Sequence, residues 1–117
     1  ACLRWAFGTL IGNTDMHSGN LACLTDSAQP FSLAPVYDMT PMGFAPTAPG
    51  ELPEFRLSLD IIDVVNPSTW ARALSLAQDY VMRLRTSSLL SRDFAPCVDK
   101  LQTHIDQAAE RLKRLAP

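Results

Sequence analysis

Lysine is nearly missing from this chain: Lys100 and Lys113 are the only two in 117 residues, and both lie near the C-terminal end. The eight arginines are scattered, acidic residues outnumber basic ones by twelve to ten, and the formal net charge is −2. No basic stripe is left to neutralise phosphates, so direct nucleic-acid binding by this segment is not expected. Nor does any apolar run approach the ~20 residues of a membrane-spanning helix. Cysteine is sparse and odd in number. Cys2, Cys23 and Cys97 show no CxxC spacing, so neither a disulfide framework nor a zinc site is indicated. Three free thiols suit a reducing cytoplasm. The five glycines never assemble into a GxGxxG phosphate loop. Disorder is excluded as well, because 47% of the residues are hydrophobic and the net charge is small.

What is present is one domain's worth of chain, long enough to bury roughly two-thirds of its unfolded surface. The opening residues, Ala1 to Gly12, are largely apolar but lack the basic flank and cleavage site of a signal peptide. They predict a core helix from Leu3 to Ile11, ended near Gly12 and Asn13, residue types that tolerate a left-handed helix terminus. A chain that starts without methionine inside such an element is expected to be a piece of a longer protein. Asn20–Leu24 and Phe31–Ala34 are short apolar runs around the turn-rich Thr25–Pro30, which predicts a small β-hairpin.

Between Thr40 and Phe55, Pro41, Pro46, Pro49 and Pro53 fix φ and remove donors, predicting a long irregular loop. Loops of that length in compact domains tend to carry function. Leu57–Ile62 suits a short strand or a helical turn equally. Asn66-Pro67 then starts a helix, with asparagine as cap and proline at the first helical position. Trp70, Ala73, Leu74, Ala77, Val81 and Leu84 mark one face of it to about Arg85. A second helix begins between Ser91 and Pro96, with a stripe of Val98, Leu101, Ile105, Ala108, Leu112 and Leu115. That stripe is too short for a coiled coil, so the two helices are expected to pack as an antiparallel hairpin. The fold class is mainly α with a small β-hairpin, and no internal repeat is visible.

The chemistry is concentrated in Gly12-Asn13-Thr14-Asp15-Met16-His17-Ser18-Gly19-Asn20 and Leu33-Ala34-Pro35-Val36-Tyr37-Asp38-Met39. Asp15 and Asn20 bracket a polar loop between a helix and a strand, and Asp38 lies just past the second strand. A hairpin would fold Asp38 back to within a few ångströms of Asn20. A carboxylate and an amide oxygen converging there make a hard-oxygen site, suited to Mg²⁺ that keeps some waters and binds substrate phosphates. Asp15 beside it could accept a proton from an attacking hydroxyl. Asp and Asn also favour turn positions, so the spacing alone equally suits a capped turn. The helix before, the strand after and the second aspartate at the hairpin's far end are what favour a site.

Asn13-Thr14-Asp15-Met16-His17-Ser18-Gly19-Asn20 with Ala34-Pro35-Val36-Tyr37-Asp38 resembles the HipA family of bacterial kinases, which carry an N-x-D-x-H-x-x-N loop and a downstream S/A-P-x-Y-D segment. The close resemblance runs from about Leu3 to Pro41. It implies a single kinase-like C-lobe segment over residues 1–117, of a serine/threonine protein kinase that uses ATP and Mg²⁺. The family often acts as the toxin of a toxin–antitoxin pair, partnered by a small DNA-binding antitoxin. By this resemblance Asp15 is the catalytic base, Asn20 and Asp38 hold Mg²⁺, and His17 orders the loop rather than taking the proton. Asn13 braces the turn through side-chain to backbone hydrogen bonds. The proline-rich loop falls where a kinase has its activation and substrate-binding segment.

One departure stands out. Kinase chemistry needs a lysine on the ATP phosphates and a Gly-rich loop over them, and neither is here. The family places both in an N-terminal lobe upstream of Ala1. The resemblance therefore implies that this segment alone lacks transfer activity, and that apolar surface bared by the missing lobe favours self-association. Two other readings stay open: a non-catalytic helical interaction module that binds an antitoxin or other protein, and a small-molecule phosphotransferase. Among the remaining residues, Cys23 reads as a small buried residue, Tyr37 as packing, and His104 as a helix-surface residue. Arg83, Arg85 and Arg92 suit a solvated helix end.

Overall fold

The computed structural model describes residues 1–25, 31–45, 48–51, 59 and 61–115, the Leu115 side chain excepted. Among the described residues, three α-helices and a minimal hairpin make up the architecture: α1 (Cys2–Leu10), β1 (Cys23–Leu24), β2 (Ser32–Leu33), α2 (Pro67–Thr86) and α3 (Ala95–Leu115). The chain is thus mainly helical with one two-stranded antiparallel sheet, in which Cys23 faces Leu33 and Leu24 faces Ser32. Among the described residues no helix is long and apolar enough to cross a membrane.

The helices form where the apolar spacing and the caps agree. Asn66 caps α2 with its side-chain oxygen, which accepts from the Thr69 N–H at 2.8 Å, while Pro67 opens the first turn, where no intrahelical donor is needed. On α2, Trp70, Ala73, Ala77 and Val81 are buried, the alternate small residues letting neighbouring helices approach. On α3, Val98, Leu101, Ile105 and Ala108 are buried. The two pack together, with Arg85 at the end of α2 paired to Asp99 near the start of α3 at 2.9 Å, as an antiparallel turn requires. Arg83 is likewise paired, to Asp79 at 2.7 Å, so both arginines are solvated ion-pair partners.

α1 is the central element. It packs along α2 and touches α3, burying Ala6, Leu10 and Ile11 completely. Trp5 meets Trp70 edge-on at 5.9 Å, and Phe7 meets Tyr80 in the same manner at 6.1 Å. The helix ends at Gly12, whose φ of +74° is the left-handed turn that glycine adopts without steric cost.

Several expectations are corrected. The strands are two residues each, shorter than Asn20–Leu24 and Phe31–Ala34, because Ser18–Asn20 coils into a 3₁₀ turn and extended pairing begins only at Cys23. Both strands are exposed, so Cys23 is exposed rather than buried; no third layer covers the hairpin among the described residues. The loop from Thr40 is not wholly irregular: Met42–Phe44 forms a 3₁₀ turn that buries Phe44 in the core. Gly43 N–H donates to Gly12 O at 2.8 Å, tying this turn to the end of α1. The choice between strand and turn at Leu57–Ile62 falls mostly outside the described residues; within them, Leu59 is buried and its carbonyl accepts from Ile61 N–H.

Candidate functional site

The first turn of α1, the 13–20 loop and the segment after β2 enclose one side of a cavity of about 410 Å³, whose wall includes Asn13, His17, Asn20, Tyr37 and Asp38. Each polar residue is held by a specific contact. Asn13 is buried, and its side-chain oxygen accepts from Asp15 N–H at 3.0 Å, while its amide nitrogen reaches Asp38 O at 3.4 Å. The bracing expected of Asn13 is thus present, and it spans both segments. Asn20 donates its side-chain amide to Asp15 O at 3.2 Å. This closes the loop from Asp15 to Asn20 as one ring.

His17 caps the 3₁₀ turn: its Nδ1 accepts from Gly19 N–H at 3.1 Å. A Cβ at position 19 would stand 2.8 Å from that nitrogen, so the close approach depends on glycine. The ring orders the loop, and its lone pair is spent on the backbone. Asp38 sits at φ +55°, a left-handed conformation that aspartate tolerates better than most residues.

Tyr37 corrects the sequence reading. It is exposed rather than packed, and its hydroxyl donates to Gly19 O at 2.7 Å, joining the segment after β2 to the 13–20 loop. A tyrosine beside a functional aspartate looks the same in sequence whether it packs or bonds, so no sequence signal separated the two. Arg4 was missed as well. From α1 it donates to Ala34 O just before Pro35, and thereby anchors the approach to Asp38.

The structure brings Asn20 and Asp38 to the same cavity but leaves Asp15 off its wall. Asp15 is exposed, with no partner for its carboxylate among the described residues. The donor set fits a divalent hard cation. Asn20 commits its nitrogen to Asp15 O, which leaves its side-chain oxygen unspent, and Asn20 and Asp38 both line the cavity. Among the described residues no group of three His, Cys, Asp or Glu side chains is placed to hold a metal. Two oxygen ligands suit Mg²⁺ that completes its shell with waters and phosphate oxygens, rather than an ion caged by protein alone.

His104 requires the second correction. It is 6% exposed, not on the surface, and its Nε2 lies 3.1 Å from Thr9 O. Position 104 is three residues after Leu101 and four before Ala108, so it falls within the width of the buried stripe, against the end of α1. Since the partner is a carbonyl, Nε2 must carry the hydrogen. Burial pushes this imidazole below its ordinary value of 6.5; the hydrogen bond to Thr9 opposes that, and Arg111 adds to it. The fold therefore favours the neutral ring. The stability this gives is complete above about pH 6.5 and is lost as pH falls toward the lowered folded value, because the unfolded chain takes up the proton first. Thermal melts between pH 7.5 and 5.5 should show the chain losing up to about 1.4 kcal/mol per pH unit more than His104→Gln, which keeps a donor but cannot charge. Parallel curves for the two would exclude His104 as the titrating group.

With the geometry in place, comparison with known proteins gives two matches and one absence. Residues 2–114 match the model of the HipA-like C-terminal domain. A relative described as Toxin YjjJ, from Escherichia coli (strain K12), is 37% identical over 111 residues, which is 95% of this chain and 25% of that protein. The chain thus spans about a quarter of that relative's length. No solved structure matches it.

Proposed function

The chain belongs to the HipA-like C-terminal domain family, and on that premise we propose that it is the C-lobe catalytic segment of a HipA-type serine/threonine protein kinase that uses ATP and Mg²⁺. The observation that carries this reading is the convergence of Asn20 and Asp38 on one cavity, with the Asp15 backbone bonded to both Asn13 and Asn20. Asn20 and Asp38 hold the ion, which when bound offsets the charge of the ATP phosphate oxygens. Asp15, exposed and free to turn, orients a substrate hydroxyl and accepts its proton at a carboxylate oxygen. Asn13 and His17 hold the backbone of the loop that carries this carboxylate. Transfer then depends mainly on positioning and electrostatics.

The phosphate-binding lysine and Gly-rich loop that this chemistry needs are not among these residues, and the complete protein would have to supply them. A toxin role is suggested by the relative's name; the protein substrate, the small DNA-binding antitoxin and the cytoplasmic location proposed with it rest on the family resemblance alone. A second reading, a non-catalytic module that binds a partner protein, draws on Asp15 lying off the cavity wall.

The deciding experiment is Mg²⁺-dependent phosphate transfer from ATP by the complete protein beside its Asp15→Asn variant. The variant is expected to lose about two orders of magnitude or more. Transfer that survives in the variant keeps the kinase and dismisses Asp15 as base. No transfer by either folded protein leaves the binding module.

A further inference from the structure

Asn20 and Asp38 are brought together by elements that are weak in themselves. The hairpin between them pairs only Cys23 with Leu33 and Leu24 with Ser32, and both strands are exposed. A hairpin of that size is at best marginal and cannot hold two side chains in register on its own. The contact from Asn13 to Asp38 O is long, at 3.4 Å, and that from Arg4 ends at Ala34, four residues short of Asp38. The side-chain cross-link that ends nearest to both members of the pair in sequence is Tyr37 Oη to Gly19 O at 2.7 Å. Its two ends sit one residue before Asp38 and one residue before Asn20. Asp38 adopts its left-handed backbone immediately after this link, so the bend that aims its carboxylate begins from a fixed point.

We infer that Tyr37 is a positioning residue: through its hydroxyl on Gly19 O it sets the separation of Asn20 and Asp38, and with it the affinity of the site for a divalent cation. The inference rests on the reading of Asn20 and Asp38 as cation ligands. Tyr37 does not touch the ion; it fixes the backbone carrying one ligand against the backbone carrying the other. Outer residues of this kind commonly change metal affinity by about tenfold to a hundredfold when removed. Because the ring is exposed and only the hydroxyl makes the link, Tyr37→Phe removes the strut while leaving the core untouched.

The test is Mn²⁺ binding to the complete protein with a non-hydrolysable ATP analogue, read by electron paramagnetic resonance, for the wild type, Tyr37→Phe and Asp38→Asn. Melting temperatures are measured alongside. The expected result is weaker Mn²⁺ binding in Asp38→Asn, and about a tenfold or greater weakening in Tyr37→Phe at an unchanged melting temperature. If Asp38→Asn weakens binding and Tyr37→Phe binds like the wild type, the strut is overturned while the metal site stands. If Asp38→Asn binds like the wild type, the metal reading fails and the strut with it. A Tyr37→Phe protein whose weaker binding comes with a lowered melting temperature overturns the positioning role in favour of a general structural one.

Discussion

Asp38→Asn in the complete protein is expected to reduce phosphate transfer by about a thousandfold with no loss of folding. The two carboxamide and carboxylate side chains are nearly isosteric. Asparagine also tolerates the left-handed backbone at φ +55°, so the substitution adds no strain where most residues would. Nor does it disturb a hydrogen bond among the described residues, because Asn13 contacts the Asp38 carbonyl, which is unchanged. What disappears is one negative charge at the cavity wall. A neutral amide is a poorer partner for a cation whose charge stabilisation contributes several kcal/mol to phosphoryl transfer, which corresponds to about three orders of magnitude in rate. The check is a pair of measurements: transfer from ATP at high Mg²⁺, and thermal melting. Transfer within tenfold of wild type at an unchanged melting temperature would remove Asp38 from the site.

Trp70→Ala should have the largest effect on stability, about 3–5 kcal/mol, a large share of the 5–15 kcal/mol that holds an ordinary domain together. Trp70 sits in the first turn of α2, is 3% exposed, and joins α2 to α1 through its edge-on contact with Trp5. Removing it takes away apolar area and leaves a void where α1 and α2 pack together. The indole nitrogen is buried without a partner among the described residues, a cost the wild type already carries. Trp70→Phe should therefore lose less than half as much as Trp70→Ala, since it keeps a ring and removes the unpaired donor. Urea unfolding of the chain measures both. Equal losses for the two variants would mean that the ring's packing is not what the helix pair depends on.

How much could be seen in advance depends on the range of the interaction. Helix α2 was readable because Asn66, Pro67 and the spacing of Trp70, Ala73, Ala77 and Val81 act within a few residues of one another. The same holds for α1, whose end at Gly12 follows from local backbone freedom. The motif residues Asp15, Asn20 and Asp38 were legible as a pattern, and the bracing by Asn13 followed from its side chain's reach. Cys23, Tyr37 and His104 were misread, and each error has the same origin. Cys23 depends on whether another layer covers the hairpin, Tyr37 on the distance from its hydroxyl to Gly19, and His104 on the end of a helix 95 residues away in sequence.

The helical periodicities, the caps, the hairpin and the family to which the chain belongs rest on local sterics and on the order of side chains along the chain, and are therefore legible in the residues alone. Folding in three dimensions is what buries His104 on Thr9 O, anchors Ala34 to Arg4, leaves Asp15 off the cavity wall and links Gly19 through Tyr37 to the turn at Asp38. Those contacts join residues whose meeting is set by how α1, the hairpin and α3 pack, and packing is a property of the whole chain rather than of any stretch of it.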